Sequence, residues 1–389
     1  MKQILEGSRV VALTIKNIRP DVISAYPITP QTHIVEDLSK FKANGEADYE
    51  FVRAESEFAA ASIVAGASAT GVRTYTATSS QGLLLMAEVL YNIAGMRLPI
   101  VLTCANRALS APINIWNDQQ DAVTLRDSGW ILLFAENHQE SVDQHVVAFK
   151  LAEKLKLPVM VNIDGYILTH SYESVEIPDN ITIKKYLPDY TPTPGQYLDV
   201  NNPASLGGVA FPTHYFEIRE ELDKDLKASL TVINKEYSAW KKIFKPKTKK
   251  IGRYKSLIDN GLIEYYGPNK PQTILVAMGS VVGTIKDVID ENKNVGVLKI
   301  KCLRPFPADE INKIIGKAKY IAVLDKSISL GHLGPLAADI RSGAYGKIKT
   351  KITSFVLGLG GRDITKAMIA KVIKEVKTTK DDIKFIGKA

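Results

Sequence analysis

Short apolar runs alternate with amphipathic stretches along the first 165 residues. The runs at 21–25, 49–53, 72–77, 99–104, 130–134 and 158–163 predict buried strands. The stretches near 31–42, 57–69, 82–95 and 138–155 repeat apolar residues at three- and four-residue steps and predict helices. Ile34, Val35, Leu38 and Phe41 mark the apolar face of the first. Strands alternating with helices at this spacing predict a parallel sheet covered on both faces. Between 178 and 212 the pattern dissolves into an irregular connection rich in proline and glycine. A long helix is expected next, capped by Thr213, with Leu222, Leu226, Leu230, Ile233, Tyr237, Trp240 and Phe244 on one face. From 272 the alternation resumes, with strands at 273–278, 295–300, 319–324 and 352–357 and helices at 281–291, 308–316, 333–343 and 365–377. The chain therefore divides into a first α/β part (1–177), a connection with its helix (178–260) and a smaller doubly wound part (261–389).

Composition adds mainly exclusions. A chain of 389 residues with 45% hydrophobic and 24% charged residues is an ordinary globular one. No apolar run reaches the length of about 18 residues that spans a bilayer. The start, Met1 to Glu6, lacks the apolar core of a signal peptide. The two cysteines, Cys104 and Cys302, lie in apolar runs, which argues for a reducing, cytoplasmic setting and against disulfides. Two thiols also cannot hold a cubane iron–sulfur cluster, which needs four. The six histidines show no metal-binding spacing. Of the +8 net charge, the segment Lys241 to Lys255 supplies eight basic residues and no acid. This is one local basic segment, solvated or docking an acidic partner, and not a nucleic-acid-binding surface.

Chemistry gathers at the turns. Tyr26-Pro27-Ile28-Thr29-Pro30 follows a predicted strand and precedes a predicted helix. Its prolines fix φ on both sides of the threonine and cannot extend a central strand. Pro30 suits the first helical position, but a stiff turn at the carboxyl end of a strand is also where α/β sheets bind ligands. Arg53-Ala54-Glu55-Ser56-Glu57 opens an alanine-rich helix that is apolar on almost every face, and so is expected to be buried all round. A carboxyl there either relieves the helix dipole or, desolvated, exchanges a proton with a ring nitrogen. Thr78-Ser79-Ser80-Gln81-Gly82 and Asn106-Arg107-Ala108-Leu109-Ser110 are two more polar turns after strands. Four such turns on one sheet edge, offering hydroxyl, carboxyl, amide and guanidinium groups, describe a site. Gly358-Leu359-Gly360-Gly361-Arg362 reads as a tight turn, with an anion cradle as the alternative. A Gly-x-Gly-x-x-Gly fingerprint and a P-loop lysine are both absent.

Six segments in order carry a family resemblance: 25–31 (Ala-Tyr-Pro-Ile-Thr-Pro-Gln), Glu55-Ser56-Glu57, 75–83 (Tyr-Thr-Ala-Thr-Ser-Ser-Gln-Gly-Leu), 105–118, 162–170 (Asn-Ile-Asp-Gly-Tyr-Ile-Leu-Thr-His) and 358–362. Together they resemble the alpha subunit of the multi-subunit pyruvate:ferredoxin oxidoreductases, within the 2-oxoacid:ferredoxin oxidoreductase family. The resemblance runs essentially from end to end. It implies a thiamine-diphosphate-enzyme pyrimidine-type domain, a parallel doubly wound sheet, plus a transketolase-C-terminal-like α/β domain. It also implies oxidative decarboxylation of pyruvate with coenzyme A to acetyl-CoA, CO2 and reduced ferredoxin. Thiamine diphosphate would be shared with a beta subunit. Mg2+ and the [4Fe-4S] clusters would sit in partner subunits, among beta, gamma and delta, and not in this chain.

Carried over by position, Glu57 resembles the glutamate that hydrogen-bonds the aminopyrimidine ring and so favours the tautomer that activates the thiazolium carbon. Glu55 is the competing carboxyl. Thr29 and Arg107 resemble the residues that hold the substrate carboxylate, the arginine through two parallel bonds. Pro27, Ile28, Ser80 and Gln81 would wall the pyrimidine. The loop 117–121 (Asn-Asp-Gln-Gln-Asp) differs from the family pattern in lacking a histidine. A different 2-oxoacid, such as 2-oxoglutarate or a branched-chain acid, remains the alternative within the family. A non-catalytic assembly subunit is the alternative outside it.

Overall fold

The computed structural model describes residues 2–246 and 252–387. The chain opens with β1 (Lys2–Glu6) and α1 (Gly7–Ile18), ahead of the first element expected from the sequence. It then runs β2 (Val22–Ala25), α2 (Thr32–Ala43), β3 (Glu50–Arg53), α3 (Glu57–Ala69) and β4 (Thr74–Thr78). Two short helices follow, α4 (Ser80–Leu85) and α5 (Ala87–Gly95), where a single helix at 82–95 is expected. β5 (Val101–Asn106), α6 (Gln120–Thr124), β6 (Ile131–Phe134), α7 (His138–Leu155) and β7 (Val159–Asp164) complete the first alternation. β8 (Tyr172–Glu176) returns to pair antiparallel with β1, and α8 (Asn180–Tyr186) leads into the irregular connection.

The long helix, α9 (Pro212–Ile243), starts one residue before its expected cap. Pro212 takes the first helical position, where its fixed φ is already helical and its missing N–H costs nothing. Phe211 is therefore the capping residue, and the Thr213 hydroxyl turns to His214 Nδ1 at 3.0 Å instead. From Leu222 onward α9 buries Leu222, Ile233, Tyr237 and Trp240, and the Trp240 indole donates to Asp143 in α7 at 2.8 Å. Part of the basic run that follows, residues 247–251, lies outside the described residues.

The remaining elements are β9 (Ile258–Asp259), β10 (Ile263–Tyr266), β11 (Thr273–Ala277), α10 (Val281–Glu291), β12 (Val295–Ile300), β13 (Cys302–Arg304), α11 (Ala308–Ile315), β14 (Tyr320–Asp325), α12 (Pro335–Ala344), β15 (Ile352–Val356), α13 (Lys366–Glu375) and β16 (Ile383–Phe385). Two seven-stranded sheets result. The first has the order β13-β6-β7-β5-β4-β2-β3 and is parallel except for β13, which crosses from the later half of the chain to pair antiparallel with β6. The second has the order β16-β15-β14-β11-β12-β10-β9, with β10 antiparallel to both of its neighbours, β12 and β9, beside a parallel core.

Topology places the ligand crevices. From β2 the chain steps outward to β3, then returns to β4 on the other side of β2. Strand order therefore reverses between β2 and β4, and their carboxyl ends are the turns at 26–30 and 78–82. Such reversals hold the binding crevice of open α/β sheets. A second reversal separates β5 from β7, and a third in the other sheet separates β11 from β14. The last two face each other. Asp164, ending β7, accepts from Ser280 N at 2.8 Å and pairs with Lys326 Nζ at 2.9 Å, and these two residues follow β11 and β14.

Candidate functional site

The turn after β2 is built around a buried amide. Gln31 donates to Ala77 O of β4 at 2.6 Å, accepts from Ile28 N at 3.3 Å, and its own N–H closes on Ile28 O at 2.8 Å. One side chain thus sets the turn's shape and bridges the β2–β4 reversal. Because Gln31 occupies the cap, α2 starts at Thr32 and Pro30 lies in the turn, not at the first helical position. Tyr26, Pro27 and Thr29 are exposed along the rim, with Ile28 half-buried.

Glu57 is the first residue of α3, whose amino end is capped by the Ser56 hydroxyl accepting from Ala59 N at 3.1 Å. The side chain of Glu57 is 7% exposed, whereas Glu55 is exposed. Its carboxyl lies against Gly82: a Cβ on that glycine would stand 2.5 Å from Glu57 Oε1 and 2.6 Å from Thr78 Oγ1. The absence of a side chain at 82 makes the cradle for the carboxyl. Nearby, Thr78 Oγ1 and Gln81 Nε2 are buried without a hydrogen-bond partner. A buried carboxyl beside a buried unpaired hydroxyl and amide leaves hydrogen-bonding capacity that the chain does not fill. This donor set fits an aminopyrimidine ring, which offers both ring nitrogen acceptors and an amino donor. The helix α3 is not buried all round, since Phe58, Ser62 and Gly66, four residues apart, form an exposed stripe. Its small residues leave the outward face nearly as apolar as the inward one, so the pattern carries no sign of which face is covered.

Ser80 adopts φ +51°, a left-handed conformation that costs a non-glycine residue of order 1 kcal/mol. The surroundings enforce it. Ser80 N donates to Asp121 Oδ2 at 2.9 Å, and its hydroxyl lies 2.5 Å from both Ala108 O and Gln81 Oε1. Arg107 N donates to the same Asp121 oxygen at 3.0 Å, while Asn106 Nδ2 and Ala122 N occupy the other. Asp121 is fully buried, and burial raises its proton affinity against these four donors. It locks the 78–82 turn to the 105–110 turn. Nothing in the sequence around Asp121 marks it, since a lone aspartate in a polar loop has no spacing signature.

Arg107 is 7% exposed, and burial pulls its pKa below the ordinary value. Its Nη1 donates to Thr29 O at 2.9 Å and its Nε to Asn114 O at 2.9 Å. The guanidinium therefore reaches across to the proline turn. The structure brings together the turns carrying Thr29 and Arg107, and separately Glu57 and the turn carrying Ser80 and Gln81, joined through Gln31 and Asp121.

The glycine turn at 358–362 has a different use. Gly361 N donates to Asn117 O at 2.6 Å and Gly360 N to Asp118 Oδ2 at 3.3 Å. Asn114 Nδ2 returns a bond to Gly360 O at 3.1 Å. The amides that would cradle an anion thus dock the turn on the 114–118 loop, and burial pushes the Asp118 carboxyl up to about 6.

A buried glutamate thus stands at a strand reversal, with the turns carrying Thr29 and Arg107 joined beside it. Residues 14–238 match the family described as pyruvate flavodoxin/ferredoxin oxidoreductase, thiamine diphosphate-binding, and residues 272–369 match pyruvate:ferredoxin oxidoreductase core domain II. The chain is 46% identical over 390 residues to pyruvate synthase subunit PorA of Methanocaldococcus jannaschii, covering 98% of this chain and 96% of that one. It is 37% identical to ketoisovalerate oxidoreductase subunit VorA of Pyrococcus horikoshii, covering 99% and 94%. The chain belongs to the pyruvate:ferredoxin oxidoreductase family, in the position of its alpha subunit. A 2-oxoglutarate:ferredoxin oxidoreductase from Magnetococcus marinus shares the fold, with a TM-score of 0.73 at 21% identity over 96% of this chain. The match spans 65% of that longer chain.

Proposed function

We propose that this chain is the alpha subunit of a pyruvate:ferredoxin oxidoreductase, acting on pyruvate and coenzyme A to give acetyl-CoA, CO2 and reduced ferredoxin. The observation that carries the reading is the Glu57 carboxyl, buried at the head of α3 and cradled by Gly82 beside Thr78. When bound, thiamine diphosphate supplies the electron sink for decarboxylation. The Glu57 carboxyl would hydrogen-bond the pyrimidine nitrogen. Pro27, Ile28, Ser80 and Gln81 wall the ring. The Thr29 hydroxyl and the Arg107 guanidinium take the substrate carboxylate.

Several features support a partner completing the site. The chain has no diphosphate-binding motif of the Gly-Asp-Gly…Asn type and only two cysteines, each buried in its own strand. Mg2+ and the [4Fe-4S] clusters are therefore assigned to the beta and delta subunits, with gamma completing the complex and ferredoxin taking the electrons. Tyr26, Val52, Phe58 and Leu85 are exposed apolar side chains on the elements that carry the site, as a face covered on assembly would be. The cytoplasm is the compartment proposed, and among the described residues no helix is long and apolar enough to cross a membrane. The three-part division at 177 and 260 goes with this reading, the first part holding the pyrimidine.

The test is co-purification with the partner subunits and assay against pyruvate, 2-oxoglutarate and 2-oxoisovalerate with coenzyme A and a viologen. Pyruvate is expected to give the highest kcat/KM. A second reading, 2-oxoisovalerate, draws on the VorA relative, and its weaker 37% match against 46% ranks it behind pyruvate. Absence of turnover with every acid would leave the assembly-subunit reading.

A further inference from the structure

Three ionisable side chains from separate segments converge beside the start of α2. Glu6 closes β1, His33 stands in the first turn of α2, and His170 ends the turn after β7. Their ligand atoms all lie within 4.8 Å of one another, the one such His/Cys/Asp/Glu grouping among the described residues. His33 Nδ1 is 2.7 Å from Glu6 Oε1, and the two imidazole rings lie 4.8 Å apart at 35°. His170 Nδ1 faces Thr169 Oγ1 at 2.7 Å, and that hydroxyl accepts from Tyr166 N at 2.8 Å. The far side of the ring is thereby fixed, which leaves Nε2 as the nitrogen that can ligate. Ligating histidines are commonly oriented in this way through their second nitrogen.

We propose that Glu6, His33 and His170 bind one divalent transition-metal ion of the zinc class. Two imidazoles and one carboxylate suit such an ion, whereas Mg2+ and Ca2+ select all-oxygen sites. Three protein ligands leave a fourth position to water. With bonds of about 2.0–2.1 Å, tetrahedral ligand atoms stand roughly 3.3 Å apart. His33 is exposed and Glu6 partly exposed, so both side chains have space to rotate.

The ion would tie three segments at the rim of the candidate site. The turn ending at His170 packs on it directly, because a Cβ on Gly165 would meet Asn106 O at 2.5 Å and Pro30 Cγ at 2.7 Å. Tyr166 of the same turn stacks on the His170 ring at 4.6 Å. His33 and Glu6 are 27 residues apart and His170 is farther still, so no short motif announces the site.

The inference is independent of the proposed reaction and its test reads metal, not turnover. The full chain, stripped with chelator, is dialysed to equilibrium against micromolar Zn2+ and the bound metal counted per chain. One equivalent is expected. His33→Ala and His170→Ala should each lose it, Glu6→Gln should bind at least tenfold more weakly, and His332→Ala, an exposed histidine elsewhere, should keep it. Far-ultraviolet circular dichroism confirms that each variant is folded. Co2+ should give the intense visible absorption of a four-coordinate nitrogen–oxygen site in the wild type and His332→Ala, and not in either ligand-histidine variant. No stoichiometric uptake, or uptake unchanged in both histidine variants, would overturn the assignment.

Discussion

The Arg107 guanidinium donates through Nη1 to the carbonyl of Thr29 at 2.9 Å, while its Nε is spent on Asn114 O. A two-bond grip on a carboxylate is then available only through Nη2 and the second N–H of Nη1, end-on. That places the proposed substrate carboxylate against the same turn that carries the Thr29 hydroxyl. Arg107→Lys keeps the charge but loses the fork. We expect KM for pyruvate to rise at least tenfold with a smaller change in kcat, measured by steady-state assay of the complex. A KM within twofold of wild type would detach Arg107 from substrate binding.

Gly82 lies inside α4, so alanine there should raise helix stability by up to about 1 kcal/mol. Its Cβ would also stand 2.5 Å from Glu57 Oε1. Gly82→Ala is therefore expected to lower turnover at least tenfold, and the overpacking, about 1–3 kcal/mol, should offset the helix gain and lower the unfolding midpoint. Retained turnover would mean that the carboxyl can shift without consequence.

Asp118 supplies a pH test of the contact between the two sheets' turns. Burial pushes its carboxyl up from the ordinary 3.8 to about 6, against hydrogen bonds from the Gln120 and Gly360 amides. A folded value above the unfolded one means the folded state binds the proton more tightly. Its stabilising contribution is full below about pH 4 and is lost as pH rises through 6. In urea denaturation, the stability of wild type minus that of Asp118→Asn should fall between pH 4 and 6 and level off above. A difference that grows with pH contradicts this.

Lys299 sits in β12 at 3% side-chain exposure, with its Nζ 2.7 Å from Glu136, 3.1 Å from Glu140 and 2.5 Å from Glu264. Two of these glutamates belong to the first half of the chain. Lys299→Met leaves the three buried carboxylates to two lysines, Lys286 at Glu136 and Glu264 and Lys301 at Glu140, and the uncompensated charge should cost about 3–5 kcal/mol, read from urea denaturation. A loss under about 1 kcal/mol would mean that water reaches the cluster.

Much of the parallel core was legible because buried strands read as continuous apolar runs. The strand at 295–300 and the helices at 138–155 and 281–291 fall on their expected limits. Less legible were short antiparallel additions. β13 has three residues, no period to detect, and its pairing with β6 depends on a contact nearly 170 residues away along the chain. α1 had a readable period in Val10, Val11, Thr14, Ile15 and Ile18, all buried, yet lies before the first strand expected. Of the candidate site, the turns could be found from their polar residues at strand ends. The residues that join them could not. Gln31 and Asp121 act through bonds to backbone atoms of other strands, which leave no mark on local spacing. The resemblance prefers Glu57 to Glu55, and the fold adds that of the two only Glu57 is buried.

The most direct test is turnover of Glu57→Gln in the complete complex, assayed with pyruvate, coenzyme A and a viologen. The amide keeps the shape of the carboxyl but cannot exchange a proton. A loss of roughly 100-fold or more in kcat is expected from removal of a proton-transfer group, with subunit assembly and thermal stability unchanged. Turnover within a fewfold of wild type would contradict the account and leave only the architecture standing.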